Sequence, residues 1–375
     1  MKSDVAALQL KQPRKLSFAQ GALLGVILVI ATKFCTLPSL LAGAAGSKAV
    51  WVAALLTVID GITAFFCFQT ARRGGLPSLD LPRGVKIALY AFFTLFFAMK
   101  LSAFSREIAT YYALSLFENV PVLPVMLLLL TACALLARKG YAALGRMAEI
   151  FVWLFAFVFL FVVIFTRSEG DLFNALGMFN PNFSGFGKGV LYGLGWFGDT
   201  TVIAFFDLSG ADPLPLKPNK TKRRIAFAAA LFCFLLVTIF FAVFTSSYGD
   251  AAKMTDYAFI KLSAFKANTD ELGSADWPVI ILWSIVTTLY LTLTLLSGKE
   301  CLRGLIKSDG DAFPLALLCG ATILFSAFFL DEEGDYQSFM KKVANVAALL
   351  SIVFSVGVGV FSTVKNKGEQ RETSD

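Results

Sequence analysis

The 375-residue sequence contains no histidine, few charged residues and no paired cysteine motif. Without histidine, Ser–His and Cys–His nucleophile pairs and histidine zinc ligands are excluded. The six cysteines are scattered singly in or beside apolar runs, which is typical of buried free thiols rather than of a disulfide framework or metal cluster. We therefore predict no catalytic residue, metal site or cofactor, and an enzyme is the least favoured function.

Charged residues make up only 16% of the chain, whereas 57% of the residues are apolar and the mean hydropathy is +0.72. An ordinary soluble protein is about 25% charged, so a soluble enzyme and a disordered chain are excluded. Because a transmembrane helix needs about 20 apolar residues, this composition predicts roughly ten such helices. The apolar runs are continuous and long, which disfavours a β-barrel.

The sequence thus predicts an all-α integral membrane protein with about ten spans. The predicted spans are 18–41, 49–70, 86–116, 121–137, 147–166, 186–207, 225–247, 277–297, 312–330 and 339–364. They form one transmembrane domain of two five-helix halves, 18–166 and 186–364, between tails at 1–17 and 365–375. The loop 249–276 is long enough for one short surface helix.

Most of the 33 lysines and arginines fall in the loops on the side of both predicted tails. Cytoplasmic loops carry such an excess, so both termini are predicted to be cytoplasmic. Topology explains the net charge of +7. The lipid bilayer is therefore the expected partner, and a nucleic acid is not.

Two spans carry residues that interrupt a helix. In the first, Lys33 and small polar residues precede Pro38, which disfavours helix just before it. In the sixth, three glycines within residues 193–198 precede Asp199 and two threonines. Irregular backbone at membrane depth is tolerated only where it is buried in protein or lines a cavity.

The two interruptions occupy corresponding positions in the two halves. An odd number of helices per half makes the halves inverted repeats, and broken helices at equivalent positions point to a transporter substrate site. The alternative is that the glycines only allow close helix packing. The predicted ligand-binding residues are Ala31, Thr32, Lys33, Thr36, Gly195, Gly198, Asp199 and Thr200.

Several charges lie inside the predicted spans. The predicted buried charge network consists of Lys33, Asp60, Lys100, Arg106, Glu107 and Asp199. A lysine at the depth of Lys33 costs a few kcal/mol to insert. It can be stabilised by an ion pair, with Asp199 the natural partner, by snorkelling, or by a ligand anion. Alternatively, Lys33 stands where a coupling cation would sit.

The other charges of the network are expected to pair within the bundle. Asp60 and Lys100 lie at similar depths in the second and third spans, which permits a salt bridge between them. Arg106 and Glu107 are adjacent, so they point about 100° apart on a helix. At least one of the two therefore needs a partner on another helix.

Several short segments resemble the spore germination permease family, the integral B subunits of bacterial germinant receptors. The similar segments are Leu16-Ser17-Phe18-Ala19-Gln20-Gly21, Thr36-Leu37-Pro38, Ala49-Val50-Trp51, the stretch 140–150 with Arg146 and Glu149-Ile150, Phe179-Asn180-Pro181 and Phe197-Gly198-Asp199. They are spread over nearly the whole chain. Lys33 departs from the family, which usually has a small residue there, and Val120-Pro121 replaces a usual Thr-Pro.

The resemblance implies a LeuT-like fold of the amino acid–polyamine–organocation superfamily, with five-plus-five inverted repeats and broken first and sixth helices. It implies that a small nutrient, often an amino acid, binds between those helices. It also implies a location in the bacterial cell or spore inner membrane, and a receptor complex with A and C subunits.

Two functions follow from this pattern. A germinant-receptor subunit would bind an amino acid-like ligand at the helix breaks and signal through a ligand-shifted conformational equilibrium. An amino acid transporter of the same fold, coupled to protons in one version, would instead carry the ligand across the membrane.

Overall fold

The computed structural model describes residues 16–117, 120–167, 176–181, 183–209, 219–264, 276–307, 310–330 and 333–372. Within these ranges the regular structure is helical and no β-strand occurs, which confirms the predicted all-α class. The α-helices are α1 (Phe18–Lys33), α2 (Leu37–Ala45), α3 (Ala49–Ala71), α4 (Arg83–Ser115), α5 (Val122–Ala137), α6 (Tyr141–Arg167), α7 (Phe186–Gly193), α8 (Asn219–Tyr248), α9 (Ala258–Ala264), α10 (Asp276–Ile306), α11 (Ala312–Phe329), α12 (Glu333–Phe339) and α13 (Asn345–Glu372).

Seven stretches of the described residues are long and apolar enough to cross a membrane. They are Leu37–Ala71, Arg83–Leu114, Tyr141–Ile164, Thr221–Met254, Trp277–Ile306, Ala312–Phe329 and Tyr336–Val364. Helices α1 and α5 are also apolar but have 16 residues each, a length of about 24 Å. Large apolar side chains on the outside of the bundle, such as Phe157 at 71% and Phe328 at 77% exposure, suit contact with lipid.

The first predicted span is broken where Pro38 predicted it. Helix α1 ends at Lys33 and α2 begins at Leu37, with the proline in the first turn of α2, where no backbone donor is needed. The carbonyls of Phe34 and Cys35 at the break accept hydrogen bonds of 3.0 Å from the amides of Phe259 and Ala258.

These two amides belong to the start of helix α9, which lies in the predicted loop 249–276. The expectation of a short helix there is confirmed, but its predicted surface position is wrong. The amides of α9 donate to carbonyls that the break leaves without helical partners, so α9 docks against the first span. In this position the side chain of Phe259 is buried.

The sixth predicted span is irregular over most of its length. Helix α7 leads into a 3-10 turn at Leu194–Trp196, an extended Phe197 and a second 3-10 helix at Asp199–Phe205. Gly198 has a φ of +85° and a Cβ there would lie 2.8 Å from the Ser351 hydroxyl oxygen. This position therefore requires glycine, both for its backbone conformation and for its close approach to α13.

The breaks of the first and sixth spans lie inside the bundle. Helix α4 packs along α10, while α1 packs against α6, α8 and α10. The second 3-10 helix of the sixth span packs against α1, α3 and α10. This arrangement directs the side chains of α1, α3, α4 and α10 toward the two breaks.

Candidate functional site

Four charged side chains meet between the two breaks, and we call them the charge cluster: Lys33, Asp60, Lys100 and Asp199. The Nζ of Lys33 lies 3.1 Å from Asp199 Oδ2 and 3.7 Å from Asp60 Oδ2, and the Nζ of Lys100 lies 2.9 Å from Asp199 Oδ1. All four side chains are at most 2% exposed. Two positive and two negative charges balance, as buried charges require.

The two lysines also bind the carbonyl groups that unwinding leaves without helical partners. Lys100 donates to the carbonyls of Gly195 at 2.7 Å and Phe197 at 3.0 Å. Lys33 donates to the carbonyl between them, that of Trp196. Three consecutive carbonyls of the sixth span are therefore satisfied by ammonium groups from the first and third spans.

The two aspartates hold the rest of the cluster in place. Asp60 Oδ1 accepts from the amide of Gly198 at 2.9 Å, and Thr200 donates to the same carboxylate oxygen at 3.4 Å. Asp199 accepts from the Thr32 hydroxyl at 3.2 Å and from the Tyr290 hydroxyl at 3.1 Å. Five chain segments thus converge on one point.

The structure places most of the predicted site residues here. The Lys33–Asp199 pair is confirmed, whereas Lys100 pairs with Asp199 rather than with Asp60. Ala31 is buried one turn before the break of the first span. Arg106 is half-buried and lies six residues beyond Lys100 on α4, about 9 Å along the helix axis, outside the charge cluster.

A second buried group, which we call the carboxylate latch, consists of Glu107, Thr36 and Tyr336. Glu107 Oε1 accepts from the Thr36 amide at 3.2 Å and hydroxyl at 2.5 Å, and Oε2 accepts from the Tyr336 hydroxyl at 2.7 Å. Thr36 precedes the first residue of α2. Glu107 therefore occupies the N-terminus of a half-helix, where backbone donors and the helix dipole favour an anion.

Three residues at the site were not predicted from the sequence: Tyr290, Tyr336 and Asn345. Asn345 receives the amide of Gly195 on its Oδ1 and donates through Nδ2 to the carbonyls of Leu191 and Lys341. It follows a π-helical turn at Met340–Ala344. A polar amide in an otherwise apolar span was the available signal for Asn345, while a tyrosine in such a span is too common to single out.

Three cavities lie among the helices. One of about 400 Å³ is lined by Asp60 of the charge cluster and by Thr200, among mostly apolar residues of α1, α3 and α8. A cavity of about 320 Å³, which we call the vestibule, reaches Thr36 and Trp196 from the side of α2. A cavity of about 710 Å³ lies on the side of the chain termini and is lined by Phe18, Arg72, Arg73 and Arg223 among others.

No protein-family model matches the chain, and no curated protein matches it significantly. Solved structures do share its fold. A manganese transporter of Eremococcus coleocola, in complex with an aromatic bis-isothiourea substituted compound, has a TM-score of 0.60 and 13% identity over 92% of this chain and 78% of that chain. Two mutants of the same transporter have a TM-score of 0.56 and 14% identity over 91% and 78%.

The chain therefore has an all-α membrane transporter fold. An identity of 13–14% shows the fold alone. The germinant-receptor resemblance gains no support from a family model and stays a prediction. The described residues contain no group of three or more His, Cys, Asp or Glu side chains placed to hold a metal ion.

Proposed function

We propose that this chain is a permease-like membrane protein that binds a small organic solute, such as an amino acid, at the breaks of its first and sixth spans. The observation that carries the proposal is the convergence of both breaks on one buried, electrically balanced charge cluster, with a cavity leading to it. Unwound helices at membrane depth are a recurrent substrate and ion site in secondary transporters.

The charge cluster further supports operation without a coupling metal cation. In such transporters, unwound backbone carbonyls coordinate sodium ions or protons. Here the ammonium groups of Lys33 and Lys100 bind the three exposed carbonyls of the sixth span. A lysine ammonium is a compact point charge with three donors, so it can take the place of such a cation.

We do not propose manganese as the cargo, although the structural neighbours are manganese transporters. Carboxylate oxygens suit Mn²⁺, and the cluster has two carboxylates. Both, however, lie within 4 Å of a lysine ammonium, and a divalent cation placed there would be repelled by both lysines.

A sensor is the second candidate, specifically the permease-like subunit of a germinant receptor acting with A and C subunits. The sensor function is favoured because the protein's own side chains already occupy the site. Glu107 already fills the N-terminus of α2, and the lysines already bind the free carbonyls. A ligand would have to replace internal contacts, and would thereby shift the protein between two states.

Flux and binding measurements on the purified protein in proteoliposomes separate these functions. The probes are the twenty radiolabelled amino acids. The test variant is Gly198→Ala, and its matched control is Gly187→Ala, whose Cβ would meet no atom within 4 Å. Saturable accumulation abolished by Gly198→Ala and kept by Gly187→Ala supports a carrier. Ligand-dependent thermal stabilisation without flux supports a sensor. If the protein shows no flux and no binding with any of the twenty amino acids, the proposal is contradicted.

A further inference from the structure

The vestibule is a small, basic chamber above the helix breaks. Its volume of about 320 Å³ lies at the lower end of the range for small-molecule pockets. Three lysines line it, Lys188, Lys253 and Lys341, against the single carboxylate of Asp256. Asp256 accepts a hydrogen bond of 2.7 Å from Ser39, so it is already engaged inside the vestibule wall.

Two of these lysines lie near the same aromatic ring. The Nζ atoms of Lys188 and Lys341 lie 5.4 and 5.5 Å from the centroid of the same ring, that of Tyr192. Among the described residues, no carboxylate lies within 4 Å of any of the three vestibule lysines. Three ammonium groups that line one small cavity repel each other, and an anion bound in the cavity offsets this repulsion.

The floor of the vestibule offers further hydrogen-bond donors. Trp196 lines the floor and is fully buried, and its indole N–H has no acceptor among the described residues. A buried donor left without an acceptor costs about 1–3 kcal/mol. Thr36, also on the floor, shows that this point suits an anion, since its amide and hydroxyl both bind the carboxylate of Glu107.

We infer that the vestibule captures a small organic anion, a mono- or dicarboxylate, and that Glu107 is the internal carboxylate that this anion displaces from Thr36. The inference rests on the proposed function, which it narrows to solutes with net negative charge. The three lysines attract the anion, and Thr36 and Trp196 provide donors at the floor. Glu107 is the competitor, so its charge sets the affinity of the site.

Binding of acetate, lactate, succinate and L-glutamate to the full-length protein in nanodiscs tests this inference, with succinamide as the uncharged isostere of succinate. At 10 mM salt, at least one carboxylate is expected to bind at least about tenfold more tightly than succinamide. The triple variant Lys188→Gln, Lys253→Gln, Lys341→Gln is expected to lose about tenfold in affinity, and less at 300 mM salt because exposed charges are screened. Lys342→Gln, an adjacent exposed lysine outside the vestibule, is expected to bind like wild type.

The Glu107→Gln variant distinguishes displacement from simple attraction. It is expected to bind the carboxylate several-fold more tightly than wild type, because the internal carboxylate no longer competes. Weaker binding by Glu107→Gln, equal binding of succinate and succinamide, or binding that the triple variant leaves unchanged would each overturn the inference. If none of the four carboxylates binds but neutral amino acids do, the inference fails and the proposed function stands. If no probe of either kind binds, both fail.

Discussion

The ammonium group of Lys33 lies 3.1 Å from the carboxylate of Asp199, and this pair joins the two interrupted spans at their breaks. Lys33 is the last residue of α1, and Asp199 is the first residue of the 3-10 helix that follows Gly198. Because both groups are buried, neither can exchange its partner for water. The pair therefore joins the end of α1 to the start of the second 3-10 helix of the sixth span.

The charge balance of the cluster predicts the effect of removing one lysine. Lys33→Met leaves two carboxylates with one ammonium group, and breaking a buried pair in this way costs about 3–5 kcal/mol. The double variant Lys33→Met, Asp60→Asn restores neutrality, and an asparagine Oδ1 can still accept from the Gly198 amide. The apparent melting temperature in detergent is expected to fall in the single variant and to recover by more than half in the double variant.

Lys253→Met, at an exposed position, is the control for loss of a lysine alone and is expected to melt like wild type. A double variant less stable than Lys33→Met would argue that the net charge of the cluster is not what stabilises the break.

The backbone at Gly198 predicts a specific sensitivity to a methyl group. Gly198→Ala must place a Cβ at a φ of +85° and 2.8 Å from Ser351, and left-handed backbone alone costs an L-residue about 1–2 kcal/mol. Gly187→Ala in α7 has open space around its Cβ, and alanine there is expected to be neutral or slightly stabilising. Thermal unfolding of the two purified variants compares them, and equal stability would contradict the local geometry described for Gly198.

The carboxylate latch predicts energetic coupling between two distant hydroxyls. Thr36→Val and Tyr336→Phe each remove one donor to Glu107, and hydrogen bonds to a charged group contribute about 1.5–3 kcal/mol. Because both donors share one carboxylate, the losses of unfolding free energy in the two single variants should not add up to the loss in the double variant. The expected difference is about 0.5–3 kcal/mol.

Chemical unfolding of the two single variants and the double variant measures this coupling. Thr131→Val, whose hydroxyl binds only its own helix on the exposed side of α5, is the control and should be additive with Tyr336→Phe. Strict additivity of Thr36→Val and Tyr336→Phe would show that the latch does not act as a unit.

Docking of α9 against the first break predicts that a residue outside the main bundle matters for stability. Phe259 is 1% exposed and its ring lies 5.9 Å from Phe34 and 5.3 Å from Phe155. Truncation of such a buried phenylalanine to alanine costs about 3–5 kcal/mol. Phe328→Ala, at 77% exposure, is expected to change stability by less than about 0.5 kcal/mol, and similar melting temperatures for the two variants would contradict the docking.

Much of this fold could be predicted from the sequence. Of the ten predicted spans, the described residues show seven stretches long enough to cross a membrane, together with the shorter apolar helices α1 and α5. Pro38 and the glycines up to Gly198 located the two breaks, because both residue types act on the local backbone. The corresponding positions of the two breaks also indicated Asp199 as the partner of Lys33.

The partners of the charges could not all be predicted, because pairing depends on how each helix is rotated about its axis. Depth suggested that Lys100 would pair with Asp60, whereas the rotation of α4 turns it toward Asp199 and the carbonyls of the sixth span. The contact of Glu107 with Thr36 depends in the same way on the packing of α4 beside α2. The docking of α9 depends on the carbonyls of Phe34 and Cys35, which lack helical partners only because the first span is broken.

The central claim is that a fixed positive charge at Lys33 holds the two breaks together in place of a coupling cation. Chemical rescue tests it directly: the apparent melting temperature of Lys33→Ala is measured with ethylammonium chloride and with equal concentrations of tetramethylammonium chloride, beside wild type and Lys253→Ala. We expect Lys33→Ala to be markedly less stable than wild type, and to be stabilised by ethylammonium but not by the bulkier ion, while the other two proteins respond equally to both salts. If Lys33→Ala melts like wild type in the absence of both salts, the claim is contradicted.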